Sequence, residues 1–291
     1  MVRSRRHWYC IDSRINGPLA RSQAEEFLKA RELYCVSACA KFLRIKNSGD
    51  RAWSLRDRGG NMSALLLLSG RTLFPVISPG EDIPIPQFMN RLWKKLPIYG
   101  VQGRREDVEI LEGLMARLGY TIKDQIDYDL MTMRGPPNPH ALEAGPAGLR
   151  LRRPRASDMD ALYLLQAGYE QEEVLPQGAV FNPAFCRKTL ENLAAREHLL
   201  TAELDGRLVG KINTSALAFS QYQIGGVYVH PDYRSRGIAL SMTAAFTAFL
   251  SGEGRGFTLF VKKGNLTAKA VYRKIGFSLA GDYRISYYEE P

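Results

Sequence analysis

The segment GGVYVHPDYRSRGIA, from Gly225 to Ala239, restricts the possible folds of this chain more than any other. Apolar residues that favour strands run from Ile224 to Val229, and Pro231 lacks the N–H needed to continue a strand ladder. The residues that follow, LSMTAAFTAFL, have the composition of a buried helix. The segment therefore predicts a strand, a loop and a helix, with the unpaired N–H groups of the helix start directed at one place.

The loop of this segment predicts an anion-binding site. Arg234 and Arg236 can form paired hydrogen bonds to phosphate oxygens. Gly237 and Ala239 keep the side chains small where a ligand would approach the backbone. The alternative interpretation is a solvated helix start with a turn glycine, because most isolated junctions of this kind bind nothing.

A second segment, RGPPNPHALEAGPAG from Arg134 to Gly148, carries four prolines and three glycines, which is typical of a linker. With a length of 291 residues, it predicts two domains, 1–140 and 141–291. Strands and helices alternate irregularly in both halves. We therefore predict a mixed α/β (α+β) fold, in which helices flank a central mixed, mostly antiparallel sheet and the first domain is the smaller.

The second half predicts a definite order of elements. LRLRRPRASDMDALYLL indicates a strand and then a helix capped by Ser157, with Asp160 at the third helical position. NPAFCRKTLENLAARE indicates another helix, and HLLTAELDGRLVGKINTSALA a hairpin that turns at Asp205 and Gly206. FTLFVKK, LTAKAVYRKIG and FSLAGDYRISYYEE then predict a strand, a helix and closing strands.

The two halves resemble each other around one helix end. MARLGYTIKDQIDY aligns without a gap with YRKIGFSLAGDYRI, so that Gly119 matches Gly276 and Met115 matches Tyr272. A glycine that ends a helix before an aromatic strand start is common, so the match only suggests a repeat.

Composition excludes some classes of protein. The longest purely aliphatic stretch, Ala64 to Leu68, is too short to cross a bilayer, and no apolar leader follows MVRSRRHWYC, so we expect a cytoplasmic protein. The formal charge is +10, but the arginines are scattered, which does not favour a nucleic-acid partner. Nothing in the sequence indicates the oligomeric state.

The four cysteines are predicted to be free thiols, because their spacing matches no disulfide framework and a chain of this size needs none. Cys35 and Cys39 lie four residues apart on the predicted helix AEEFLKARELYCVSACAKFL. A metal held there would need further ligands that the sequence does not place nearby, so we expect no metal site.

The pattern Arg-x-x-Gly-x-Ala after a Val-x-Pro strand end resembles the acetyl-coenzyme A signature of the GNAT superfamily of N-acetyltransferases. Residues 149–288 also follow that family's order of strands and helices, and NLTAKAVYRKIGF resembles its second motif, in which an Asn opens a helix and a Tyr lies further along. The whole chain is similar to tandem GNAT proteins, whose first half is a degenerate copy of uncharacterised role.

The resemblance implies that acetyl-CoA is the cosubstrate, with its pyrophosphate on residues 234–239, which we call the cradle. It places the pantetheine arm between two splayed parallel strands, those of Val227 and Phe260. It further implies that the Val229 N–H stabilises the oxyanion and that Tyr272 is the general acid. The implied cofactor-binding residues are Val227, Tyr228, Val229, Arg234, Ser235, Arg236, Gly237, Ile238, Ala239, Asn265, Ala268 and Tyr272. The alternatives are that Asn265 is only a helix cap and Tyr272 only a core aromatic.

The general base is the weakest part of the resemblance. Many relatives carry a glutamate on the strand before the cradle, but Ala216 to Val229 contains no Asp, Glu or His. Glu172 or Glu173 in YEQEEVLP, or His198, could act through a water, or a water chain could act alone. We take Glu173 as the catalytic candidate.

The resemblance implies an N-acetyltransferase that transfers an acetyl group directly to an amine in a ternary complex. A non-catalytic protein that senses acyl-CoA is the alternative, and a hydroxyl acceptor or a longer acyl group stays open. The first half is expected to bind no acetyl-CoA, because its nearest candidate, VISPGEDIPIPQFMNRL, places Glu81 and Asp82 after Gly80 and three prolines around them.

Overall fold

The structure is a computed structural model that describes residues 7–10, 17–45, 49–57, 59–81, 83 and 98–289. Contacts divide the chain into two compact units. The first unit contains Met1–Asp129 and Gly281–Pro291, and the second contains Leu130–Ala280.

The first unit contains six strands and three helices among its described residues up to Asp129. In chain order its elements are β1 (His7–Cys10), α1 (Gly17–Lys29), α2 (Glu32–Leu43), β2 (Arg51–Arg56), β3 (Met62–Ser69), β4 (Thr72–Ile77), β5 (Gly100–Arg104), α3 (Arg105–Arg117) and β6 (Ile122–Met133), the last up to Asp129. The strands lie in the order β1-β2-β3-β4-β5. Only β4 and β5 of these pair in parallel.

The second unit begins within β6. Its elements are then α4 (Pro139–Leu142), β7 (Arg150–Arg152), α5 (Met159–Tyr169), α6 (Pro183–Arg196), β8 (Leu199–Leu204), β9 (Arg207–Leu217), β10 (Gln221–Val229), α7 (Ile238–Ser251), β11 (Gly256–Lys262), α8 (Leu266–Ile275) and β12 (Ser278–Tyr288). The strand order is β6-β11-β10-β9-β8-β7, and β10 and β11 are parallel. The end of β12 belongs to the first unit, where residues 283–287 pair antiparallel with β5.

Local sequence explains the elements that carry the candidate site. Asp205 and Gly206 adopt positive φ angles of 50° and 75°, which lets β8 and β9 form the predicted hairpin. Helix α7 is almost entirely apolar and is buried in the core of the second unit through Met242, Phe246 and Leu250. The predicted mixed, mostly antiparallel sheet flanked by helices is confirmed.

The region of Cys35 and Cys39 differs from the prediction in one respect. The expected single helix is two helices, α1 and α2, because the chain turns between Lys29 and Glu32. All four cysteines are free thiols, as predicted, and the two on α2 lie 3.5 Å apart, sulfur to sulfur. Among the described residues, no cluster of His, Cys, Asp and Glu could hold a metal ion, and no helix is long and apolar enough to cross a membrane.

Candidate functional site

Strands β10 and β11 pair over only part of their length. The parallel ladder joins residues 221–223 to residues 256–258. Beyond it, β10 continues to Val229 and β11 to Lys262 without further described pairs between them. We call the space between residues 224–229 and residues 259–262 the gap. Two of the predicted positions, Val227 and Phe260, border it.

The backbone of Val229 faces this gap. The His230 N–H donates to the Val209 carbonyl of β9 at 2.8 Å, and Val229 lies opposite Gly210 in the ladder. Residues of an antiparallel strand alternate between bonding the neighbouring strand and pointing away from it. The N–H and C=O of Val229 therefore point away from β9, towards β11.

A bulge in β10 lies immediately before this point. The pairing of β10 with β9 shifts register between Gly225 and Tyr228. Gly226 has a φ of +59°, and a Cβ there would lie 2.0 Å from Oδ1 of Asn213. Only glycine fits this position. Because a bulge bends its strand and increases the local twist, it accounts for the separation of β10 from β11.

The cradle presents backbone N–H groups. After a 3-10 turn at Pro231–Tyr233, Ser235 and Gly237 adopt left-handed conformations with φ of 61° and 77°, and α7 begins at Ile238. Within the described residues, the N–H groups of residues 235–240 have no acceptor. These groups lie at the positive end of the α7 dipole, which is an arrangement suited to an anion.

The small and apolar residues of the cradle have a different role from the predicted one, because they pack within the unit. A Cβ on Gly237 would lie 1.8 Å from the Ala144 carbonyl oxygen, so its missing side chain allows close packing within the unit and is not reserved for a ligand. Ile238 is buried in the core and Ala239 packs against it. These three residues can therefore contribute only backbone groups to a ligand.

Arg234 holds the cradle to two neighbouring elements. Its Nε donates to the Val229 carbonyl at 3.0 Å, and its Nη2 donates to Oε2 of Glu172 at 2.7 Å. The Tyr228 hydroxyl donates to the other oxygen of Glu172 at 2.8 Å. Burial alone would raise the pKa of the Glu172 carboxyl, but these bonds lower it. Arg236 is exposed and donates to the Asp232 carbonyl at 3.1 Å.

A π-helical turn, Glu170–Val174, follows α5 and faces the same strands. Lys262 of β11 donates to the Glu172 carbonyl at 3.1 Å and forms an ion pair with Glu173 at 3.2 Å. Tyr272 is buried, and burial together with the nearby Tyr169 and Glu173 raises the pKa of its hydroxyl. Glu173 thus lies near enough to Tyr272 for its charge to act on the pKa of the hydroxyl.

Asn265 caps α8. Its Oδ1 accepts a hydrogen bond from the Ala268 N–H at 3.0 Å, which is the helix-cap role, and Ala268 packs against the core. The Asn265 amide nitrogen stays available for a second bond. The Tyr272 ring packs edge-on against Phe277 at 6.0 Å between centroids, which is the core-aromatic role. Both alternatives are therefore compatible with an additional contact to a ligand.

His198 lies elsewhere. It borders a cavity of about 240 Å³ and packs edge-on against Tyr222 and Phe249. None of the residues that line this cavity belongs to the Gly225–Ala239 segment. The structure does not bring His198 together with Tyr272 or the cradle.

Sequence reasoning missed Lys211, which is fully buried beneath the bulge. Its Nζ donates to the Gly226 carbonyl and to Oδ1 of Asn213, each at 3.1 Å. Burial lowers the pKa of Lys211 to about 7. The signal was present, since a lysine in the apolar strand GRLVGKINTSALA has no solvated face to occupy.

The first unit repeats the splayed strands but closes the space between them. Strands β4 and β5 pair only at residues 72–73 with 100–101. Beyond these pairs, the Ile77 N–H donates to Oδ2 of Asp107 at 3.3 Å, and Nη2 of Arg104 donates to the Ile77 carbonyl at 3.1 Å. Ile77 occupies the place of Val229, because the next residue, Ser78, donates its N–H back to β3.

Known protein families and solved structures include similar chains. Residues 160–277 match the profile of the Acetyltransferase (GNAT) family. No curated protein matches the chain. Among solved structures, a tandem GNAT protein from the clavulanic acid biosynthesis pathway is 15% identical with a TM-score of 0.62, and 98% of each chain is covered.

Two further structures have similar folds. A Drosophila protein is 14% identical with a TM-score of 0.65, over 96% of this chain and 98% of its own. A GCN5-related N-acetyltransferase from Sphaerobacter thermophilus is 20% identical with a TM-score of 0.57, over 82% and 81%. Residues 160–277 therefore form a domain of the GNAT acetyltransferase family, in a chain that has the fold of tandem GNAT proteins.

Proposed function

We propose that the chain is an acetyl-CoA-dependent N-acetyltransferase whose second unit binds the cosubstrate and an amine. The observation that carries the proposal is the coincidence of two features at the end of one strand. The free N–H groups of residues 235–240 suit a pyrophosphate, and the gap beside them exposes the backbone of Val229 to an extended amide chain.

Arg234 and Arg236 supply the charge for phosphate binding. Arg234 lies beside the cradle and already contacts the Val229 carbonyl, while Arg236 is exposed. A pantetheine arm in the gap would be held by the outward N–H and C=O of Val229, in the way that an added strand pairs with a sheet edge. Asn265 could donate to the same arm from the start of α8.

The chemistry uses groups around the bulge. The Val229 N–H would stabilise the oxyanion that forms when the amine attacks the thioester carbonyl. Tyr272 would donate its proton to the departing sulfur, since its hydroxyl is protonated at neutral pH. Glu173, which pairs with Lys262, would take the amine proton through a water. No covalent enzyme intermediate is needed.

The acidic turn also favours a cationic acceptor. Glu172 and Glu173 lie at the end of α5, and both contact residues of the strands that border the gap. The two carboxylates would attract a protonated amine. Loss of its proton would then leave the neutral amine, which is the nucleophile. A hydroxyl acceptor gains nothing from this charge, so we propose an amine.

A non-catalytic acyl-CoA-binding protein is the second candidate, because β10 carries no carboxylate at the usual position of the base. A panel of primary amines, assayed for released CoA thiol, separates the two. Acetyl-CoA binding with amine-dependent thiol release supports the enzyme. Binding without release by any amine supports the sensor, and no binding of acetyl-CoA overturns both.

A further inference from the structure

The backbone of the bulge residue Gly226 is held by side chains and not by the strand ladder. Its C=O accepts from Nζ of Lys211 at 3.1 Å, and the Tyr169 hydroxyl of α5 lies near its N–H. The ladder cannot supply such a bond, because the pairing of β10 with β9 shifts register between Gly225 and Tyr228. The position of this peptide therefore depends on Lys211.

The space beneath Gly226 is completely filled. A Cβ on this residue would meet Oδ1 of Asn213 at 2.0 Å and Nζ of Lys211 at 2.7 Å. Lys211 and Asn213 are joined to each other by a 3.1 Å hydrogen bond, and the amide of Asn213 donates to the Thr214 carbonyl at 2.9 Å. Because Lys211 and Asn213 are themselves hydrogen-bonded, a shift of the bulge would break these bonds.

The bulge decides which backbone groups reach the gap. One extra residue in a strand changes the direction of every following N–H and C=O relative to the neighbouring strand. Val229 lies three residues after Gly226, so the outward direction of its N–H depends on the bulge. A small displacement at Gly226 would move this N–H relative to any bound thioester.

We propose that Lys211 is a positioning residue for acyl transfer, which acts through the Gly226 carbonyl to fix the bulge and thereby aim the Val229 N–H. This inference rests on the proposed function. It does not require Lys211 to touch either substrate, since the side chain is fully buried. Stability does not explain a lysine here, because burying a charged amine costs more than burying an apolar side chain of similar length.

Lys211 also makes the bulge sensitive to pH. The groups that face it are the Glu170 carboxylate, the Cys186 thiol and the Tyr169 ring, whose centroid lies 4.8 Å from Nζ. Burial lowers the pKa of Lys211 to about 7, while Glu170 opposes the shift. The neutral amine can still donate to Gly226 and Asn213, but it loses its attraction to the ring and to Glu170.

The test compares Lys211→Met with the wild-type chain and with Lys41→Met. Lys41 is a matched control in the first unit, since it is partly buried, donates to Ser69 at 3.2 Å and lies 5.3 Å from the Phe74 ring centroid. Both variants remove a lysine of lowered pKa from beside an aromatic ring, but only one removes it from the bulge.

Calorimetry should show acetyl-CoA affinity about tenfold weaker in Lys211→Met, with the affinity for adenosine diphosphate, which would occupy the cradle alone, unchanged. Turnover with an active amine should fall about a hundredfold, the order expected for a misaimed oxyanion donor, while the melting temperature does not fall. Lys41→Met should leave both affinities unchanged.

A measurement without ligand separates the two proposals. In the wild type, the Gly226 amide resonance should shift between pH 6 and 8 with a midpoint at about 7, and this component should be absent in Lys211→Met. Failure of the wild type to bind acetyl-CoA would overturn the proposed function and leave this titration intact. Equal acetyl-CoA affinity in wild type and Lys211→Met, or the same Gly226 titration in both, would overturn the role of Lys211.

Discussion

Nη2 of Arg234 donates to Oε2 of Glu172 across 2.7 Å, so the cation of the cradle is paired with the turn that follows α5. Both side chains are nearly half exposed, at 45% and 41%, and such pairs contribute only about 0 to 1 kcal/mol. A charged hydrogen bond to phosphate contributes about 1.5 to 3 kcal/mol. A pyrophosphate can therefore displace Glu172 from Arg234.

The first prediction is that Arg234→Ala weakens acetyl-CoA binding by about ten- to a hundredfold, because it removes this phosphate partner. Glu172→Gln is the matched control, since it removes the competing charge but keeps an acceptor for Tyr228, and it should bind within about threefold of wild type. Calorimetry on both folded variants checks the prediction. Equal affinities for Arg234→Ala and wild type would remove Arg234 from the site.

The second prediction concerns Gly237 and its matched control Gly206, which have φ of 77° and 75°. Alanine at either position is strained by about 1 to 2 kcal/mol. Only at Gly237 would the new Cβ collide, because it would lie 1.8 Å from the Ala144 oxygen. A Cβ on Gly206 would meet no atom within 4 Å beyond its chain neighbours. Gly237→Ala should therefore lower the melting temperature more than Gly206→Ala and should also weaken acetyl-CoA binding. Similar melting temperatures would show that the loop can move away from Ala144.

The third prediction is that Tyr272→Phe lowers turnover about a hundredfold with little change in acetyl-CoA affinity, since the ring is kept and the proton donor is lost. Tyr288→Phe is the control, because Tyr288 is, like Tyr272, a buried tyrosine, but it belongs to the first unit. The Tyr288 hydroxyl has no hydrogen-bond partner among the described residues. Steady-state kinetics with an active amine separates them. If Tyr272→Phe turns over as fast as the wild type, the role of Tyr272 is structural and not catalytic.

The sequence predicted those parts of the site whose causes are local. The hairpin at Asp205 and Gly206 needs only two residues that accept positive φ, and the strand, loop and helix from Ile224 to Leu250 follow from one proline and two apolar runs. The predicted cap of α5 was wrong. Ser157 does not cap α5, because a 3-10 turn at Ala156–Asp158 precedes the helix and Asp158 accepts from the Arg155 N–H at 2.5 Å.

The side-chain contacts that hold the bulge could not be predicted, because the residues that form them are distant in sequence. Lys211 meets Gly226 from the neighbouring strand, and Tyr169 reaches it from α5. Which lysine of an apolar strand lies beneath which glycine depends on strand register, and a bulge shifts that register by a residue without a sequence signal beyond the two glycines themselves. The pairing of Arg104 with Ile77 in the first unit was missed for the same reason.

The last prediction is that each chain binds one acetyl-CoA, in the second unit. In the first unit Ile77 corresponds to Val229, and two side chains of the same unit already bond its backbone. Asp107 accepts a hydrogen bond from the Ile77 N–H, and Arg104 donates one to the Ile77 C=O. When the alignment of Met115–Tyr128 with Tyr272–Ile285 is extended upstream without a gap, these two residues correspond to Val261 and Gly264, whose side chains cannot form such bonds. Arg104 and Asp107 also form an ion pair at 2.6 Å with Asp107 buried, so opening the space would separate the pair and leave a buried charge without its partner.

The described residues after the end of β4 offer little to a phosphate. Glu81 is a described residue that places a carboxylate after the end of β4, while Asp82, Pro84 and Pro86 lie outside the described residues. A carboxylate there repels the anion that a cradle must attract. Calorimetric titration of the full chain should give a stoichiometry near one, and a chain that combines Arg234→Ala with Gly237→Glu should show no saturable binding. A stoichiometry near two, or binding that survives in the double variant, would place a working site in the first unit despite Arg104 and Asp107.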